Sequence, residues 1–190
     1  MRWEIDPNHT TVTISAKHMM ITTVRGTVRV KSGWVEFDER DPEHGRVEVE
    51  LDAASVNTGV EMRDNDMRSE RFLDVANHPT ITFKSTDVEQ RDDRHARIVG
   101  DLTIRGATRQ VALETEFQGR GKSPWNDERI SFTATTTIDR RDWGMVWNLA
   151  LETGGILVGN EFKIELEVQA KAPLPAASEP TPSGATQSRQ

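Results

Sequence analysis

Cysteine is absent from all 190 residues, which excludes disulfide staples and thiolate chemistry. Missing too is any run of about 18 consecutive apolar residues, so no membrane-spanning helix is expected. The opening "MRWEIDPNHT" lacks the apolar centre of a secretory signal, and a cytoplasmic setting is the expectation. A basic surplus is also lacking, since 24 Lys and Arg face 31 Asp and Glu for a formal net charge of −7. Broad nucleic-acid binding needs clustered cations that displace counterions from phosphates, so that class is set aside, though one local basic pocket is not. The five histidines, at 9, 18, 44, 78 and 95, show no metal spacing such as HExxH. No metal or cofactor is expected. "GGILVG" and "GRG" lack the strand–loop–helix setting of a phosphate loop, and no GxSxG elbow occurs.

What the chain does hold is period-two alternation, again and again. In "VGNEFKIELEVQ" Val158, Phe162, Ile164, Leu166 and Val168 share one face, while Glu161, Lys163, Glu165 and Glu167 share the other. "RVEVELDAAS", "QVALETEF" and "ISFTATTTID" repeat the pattern, and further strands are expected at 10–18, 24–31, 33–38, 79–86 and 95–104. Eight or nine antiparallel strands with one wet face explain such clean alternation, whereas parallel strands read as continuous apolar runs. No helical period of ten or more residues intervenes. The fold class is therefore all-β, either a sandwich or a closed barrel. The charged face cannot sit in hydrocarbon, which rules out an outer-membrane barrel and makes any lumen apolar. The end of the chain, 172–190, is rich in Pro, Ala, Ser and Thr and is expected to be a disordered tail after a single domain at 1–171.

Several stretches occur in a recognisable order: "HTTVTISAKHMM", "VRGTVRV", "DAASVNTG", "RDNDMRSERFLDVANHPTITFKSTDV", "GDLTIRGATRQVAL", "DRRDWGMVWN" and "VGNEFKIELEVQ". Together they resemble the YceI-like, polyisoprenoid-binding family across roughly residues 3 to 169. The block RDxxxRSxxFxDVxxxPxIxFxS and the GDLTIRGxTR motif are the most specific parts. Lys17 stands where the family often has Arg, and Trp143 where it often has Phe.

The resemblance implies a lipocalin-like antiparallel β-barrel of about eight strands, holding a polyisoprenoid or another long-chain lipid in an apolar bore. It also implies a frequent homodimer, and with no acid–base or nucleophile set legible in the chain, a carrier rather than an enzyme is expected. The expected lumen residues are Val12, Ile14, Ala16 and His18, then Val49 and Leu51, then Ile81 and Phe83. Leu102, Leu113, Phe132 and Phe162 continue the wall, with Trp143 and Trp147 at a mouth, or packed in the core or a dimer face. His18 shares the inward parity of its strand, as a hydrogen-bonded structural histidine or as a ligand contact.

The charged segment "RDNDMRSERF" is expected to form a short helix or ordered turn near 61–71 across one barrel end, anchored by Met67, Phe72 and Leu73. Its arginines Arg63 and Arg68 either form local ion pairs on a solvated face or meet an anionic head group, whose geometry suits guanidinium. "DRRDWGMVWN" reads as a structural turn whose arginines keep Asp139 and Asp142 ionised. Two rivals stay open: a small cavity enzyme acting on a lipid-like substrate, and a ligand-free, stress-related structural dimer.

Overall fold

The computed structural model describes residues 1–172. Nine strands carry the chain: β1 (Arg2–Ile5), β2 (Thr11–His18), β3 (Thr22–Glu36), β4 (Arg46–Asn57), β5 (Thr80–Gln90), β6 (His95–Ile104), β7 (Ala107–Lys122), β8 (Glu128–Asp139) and β9 (Val158–Lys171). One α-helix, α1 (Glu61–Arg68), and two 3-10 turns, Pro42–His44 and Arg140–Trp143, sit in the links. Among the described residues no helix is long and apolar enough to cross a membrane. The tail expected over 172–190 falls outside the described residues apart from Ala172.

All pairings are antiparallel, and β2 through β9 close in sequence order, with β2 bonded to both β3 and β9. Of the two all-β solutions, the barrel of eight strands is the one adopted. β1 shares the slot of β2: it pairs with the far end of β3 (Trp3 opposite Val35) and of β9 (Ile5 opposite Ala170). Pro7 explains the break between them, since a residue without an N–H cannot continue a central ladder. The turn is tied instead by Asp6, whose carboxylate accepts from Asn8 N, His9 Nδ1 and Arg129 Nη1. Burial pushes the Asp6 carboxyl up, but these hydrogen bonds outweigh it and hold the pKa below its usual value.

The stretches expected at 24–31 and 33–38 are one strand. A register shift between Val30 and Ser32 interrupts the pairing of β3 with β4. Such a bulge reverses side-chain parity, so Val28 and Val30 face inward before it and Val35 and Phe37 pack toward the interior after it. Similar shifts occur in β5 between Ser85 and Asp87 and in β7 between Phe117 and Gly119. At each of them simple alternation fails in the sequence.

Inside, the apolar side chains form two clusters. One gathers Val56, Phe72, Leu73, Trp143, Met145 and Phe162. The other gathers Trp3, Ile5, Val12, Val30, Ile130 and Ala170. Burying each large aliphatic or aromatic side chain is worth about 1.5–3 kcal/mol, so these clusters supply the main drive for closure.

Candidate functional site

Members of both clusters wall an apolar cavity of about 420 Å³. Its size falls within the range of small-molecule sites, roughly 300–1,000 Å³. Val12 and Ile14 of β2, Val49 and Leu51 of β4, Ile81 and Phe83 of β5 stand on its wall. So do Leu102 of β6, Leu113 of β7 and Phe132 of β8. The same parity in the sequence marks further wall residues, among them Val111, Ala134, Ile164 and Leu166. Thr115 and Thr136 share that parity and stand on the wall as well, and Phe37 reaches the wall only because of the bulge in β3. Phe37, Phe117 and Phe132 form an aromatic trio near the open end, with ring centroids 5.0–5.3 Å apart.

Five of the expected lumen residues do not reach the cavity. Ala16, Trp143, Trp147 and Phe162 pack into the cluster that seals the opposite end. Trp143 is buried there, and its Nε1–H donates to Leu102 O at 3.1 Å. Trp147 meets the Phe72 ring edge-on at 5.8 Å and lies under the Arg71 guanidinium. The tryptophans therefore stopper the barrel instead of framing a mouth. His18 is half-buried at the end of β2, with no side-chain hydrogen bond among the described residues. It lies opposite Val158, past a register shift against β9, beyond the cavity wall.

The sealed end is also where α1 lies. Arg63 Nε donates to Thr58 Oγ1 at 2.7 Å and its Nη2 to Thr58 O at 3.0 Å. The Thr58 hydroxyl in turn donates to the buried Asp64 carboxylate at 2.6 Å. That bond, with the Thr58 N–H and despite burial, holds the Asp64 pKa below its usual value. Arg68 reaches back to β4, donating to Ala54 O and Val56 O, both at 2.8 Å. Both arginines are thus spent on carbonyls and hydroxyls that fix the helix to the barrel. They stand apart from the cavity, so the head-group role expected for them has no geometric basis. Met67, Phe72 and Leu73 do anchor this segment in the apolar cluster.

"DRRDWGMVWN" divides its arginines. Arg141 pairs with Asp139, whose pKa is drawn down to about 2 by that side chain and by the Arg141 N–H. Arg140 makes no ion pair among the described residues; it is fully buried and donates to the carbonyls of Gly159, Met145 and Val158. A signal for this role was not present in the sequence, where Arg140 and Arg141 look equivalent.

The open end is framed by two loops, the β3–β4 link around the 3-10 turn and the β5–β6 hairpin. Exposed Glu39, Arg46, Asp92, Asp93, Arg94 and His95 border the cavity there. Asp92 accepts from the N–H groups of Arg94 and His95 and from the His95 ring, which draws its pKa to about 2. Arg94 Nε donates to Phe117 O at 3.1 Å, and its Nη2 lies 3.2 Å from Glu116. Among the described residues no group of three His, Asp or Glu is placed to hold a metal ion.

Residues 3–170 match the profile of the YceI-like domain. A UPF0312 protein of Ectopseudomonas mendocina is 37% identical over 155 residues, covering 80% of this chain and 81% of its own. The YceI protein of Campylobacter jejuni superposes with a TM-score of 0.71 at 27% identity, covering 83% of this chain and 90% of its own. A polyisoprenoid-binding domain from Saccharophagus degradans, implicated in plant cell wall breakdown, superposes with a TM-score of 0.65 at 12% identity over 90% of this chain and 98% of its own. With the order of its motifs, its closed eight-stranded barrel and a profile match over nearly the whole described length, the chain belongs to the YceI-like family.

Proposed function

We propose that this protein holds a long apolar molecule, a polyisoprenoid or similar lipid, in its barrel and sequesters or transports it without chemical change. The observation that carries this reading is the cavity: apolar walls, one end stoppered by Phe72, Trp143 and Met145, the other open. Each buried CH2 contributes about 0.8 kcal/mol, so twenty such groups contribute roughly 16 kcal/mol against association costs of about 4–15 kcal/mol. Burial can therefore supply affinity without a specific polar contact. The shared fold with a polyisoprenoid-binding domain supports the choice of ligand class. Val12, Ile14, Val49, Leu51, Ile81, Phe83, Leu102, Leu113 and Phe132 are the proposed contacts.

A carrier is favoured over an enzyme because the titratable side chains bordering the cavity stand at its rim, and no nucleophile–base pair projects from the apolar wall. A homodimeric state and a cytoplasmic setting belong to the same proposal, to be checked by light scattering and cell fractionation. The deciding experiment is gentle purification, organic extraction and mass spectrometry of what co-purifies, followed by titration with prenyl alcohols. Recovery of a long-chain lipid or saturable uptake supports the reading. An extract without lipid, together with no uptake, ends it and favours the structural dimer.

A further inference from the structure

The open end has a charge character of its own. Glu36, Glu39, Asp92 and Asp93 border the cavity there, against Arg46 and Arg94. Over residues 36–46 and 89–95 the two framing loops hold eight carboxylates against four arginines. Arg94 is engaged by Phe117 O and Glu116, and Glu39 lies 3.7 Å from Arg120. Among the described residues Glu36, Asp93 and Arg46 make no ion pair. Of the groups bordering the cavity, two carboxylates, Glu36 and Asp93, and one guanidinium, Arg46 opposite Glu36 in register, are thus outside any ion pair among the described residues.

The sealed end leaves the ligand one way in. An apolar tail must enter first, leaving the polar end of the molecule at the rim. An ionised phosphate there is repelled by the carboxylates, and as an acceptor it has no proton to give them. A hydroxyl or amine donates to a carboxylate and carries no negative charge.

We propose that the rim, chiefly Glu36 and Asp93, selects ligands whose outer end is an uncharged or cationic hydrogen-bond donor and rejects phosphate-ended chains of the same length. This rests on the carrier reading given above and names the ligand class for that cavity. Polyisoprenoid alcohols and amines fit it, while an anionic head group of the kind considered for Arg63 and Arg68 does not.

Farnesol, farnesylamine and farnesyl monophosphate share one apolar tail and differ only at the end group. Calorimetric titration of the full chain at neutral pH and low salt should show the alcohol and amine binding about tenfold or more tightly than the phosphate. Raising salt to about 0.5 M should narrow the gap, because screening shortens the reach of the rim charges. The double substitution Glu36→Gln with Asp93→Asn, both outside the apolar clusters, should narrow it at low salt as well. Equal affinities, or a preference for the phosphate, overturn the proposal and leave the carrier reading standing. If none of the three binds, the carrier reading fails and takes the proposal with it.

Discussion

Arg140 is a charge placed where charges rarely survive. Its side chain is 0% exposed, it sits 5.7 Å from the centre of the Phe72 ring, and no carboxylate lies within ion-pair distance. Burial lowers its pKa from the ordinary value, and three backbone carbonyls compensate by accepting from it. These carbonyls belong to the strand and loop that stopper the barrel. Replacing Arg140 by Leu removes this donor from all three, although Val158 O still accepts from Asn148 Nδ2, at about 1–3 kcal/mol for each acceptor left dry. Urea denaturation of Arg140→Leu should show a loss of about 3 kcal/mol, while Arg141→Leu on the exposed face should lose less than about 1 kcal/mol.

Asp139 acts at the same scale through pH. Its folded pKa of about 2 lies below the 3.8 of an unperturbed carboxyl, so the unfolded chain takes up the proton first as acid is added. Its stabilisation is complete above pH 3.8 and is lost as pH falls through about 2. In urea midpoints measured from pH 5 to pH 2, Asp139→Asn should give a flatter curve than the parent protein.

At the scale of elements, close approaches of backbone decide where side chains can go. Gly100 of β6 lies under the Phe83 ring of β5; a Cβ there would stand 2.5 Å from Phe83 Cζ and 2.6 Å from Lys84 O. The ring therefore lies flat on bare backbone and helps keep the lumen open. Gly100→Ala must displace Phe83 and the backbone at Lys84, with a cost of about 1–3 kcal/mol. Thermal unfolding and lipid uptake should fall together in this variant. The charged helix α1 shows the contrary case, an element held by polar clips more than by its own sequence. Removing the two bonds of Arg68 to β4 with Arg68→Ala should cost about 1–3 kcal/mol in denaturation yet leave uptake unchanged. A loss of uptake without a loss of stability would mean that the arginine serves the ligand after all.

At the scale of the whole molecule the issue is hollowness. Ala134 of β8 is a small residue on the cavity wall, opposite Leu166 in register. Filling the lumen by Ala134→Phe should abolish uptake of a prenyl alcohol, or weaken it by about tenfold or more, while the β-sheet circular dichroism is retained. Retained uptake in a folded Ala134→Phe protein would place the ligand elsewhere. The barrel is asymmetric, with apolar packing at one end and a mostly acidic rim at the other. A ligand's orientation would follow from that difference.

The strands, their antiparallel pairing and the apolar sense of the interior were legible along the chain, because alternation is a local property of neighbouring residues. Val12, Leu51, Leu113 and Phe132 stand on the cavity wall for that reason alone. Local periodicity, however, has no information about which end of a closed sheet is stoppered. That depended on contacts between remote segments: Trp143 with Leu102, Phe72 with Trp147, Arg68 with Ala54 and Val56. Only tertiary packing made plugs of the tryptophans, clips of the arginines and a mouth of two loops with little sequence signal, since each role is defined by what lies across the barrel rather than by what lies next in the chain.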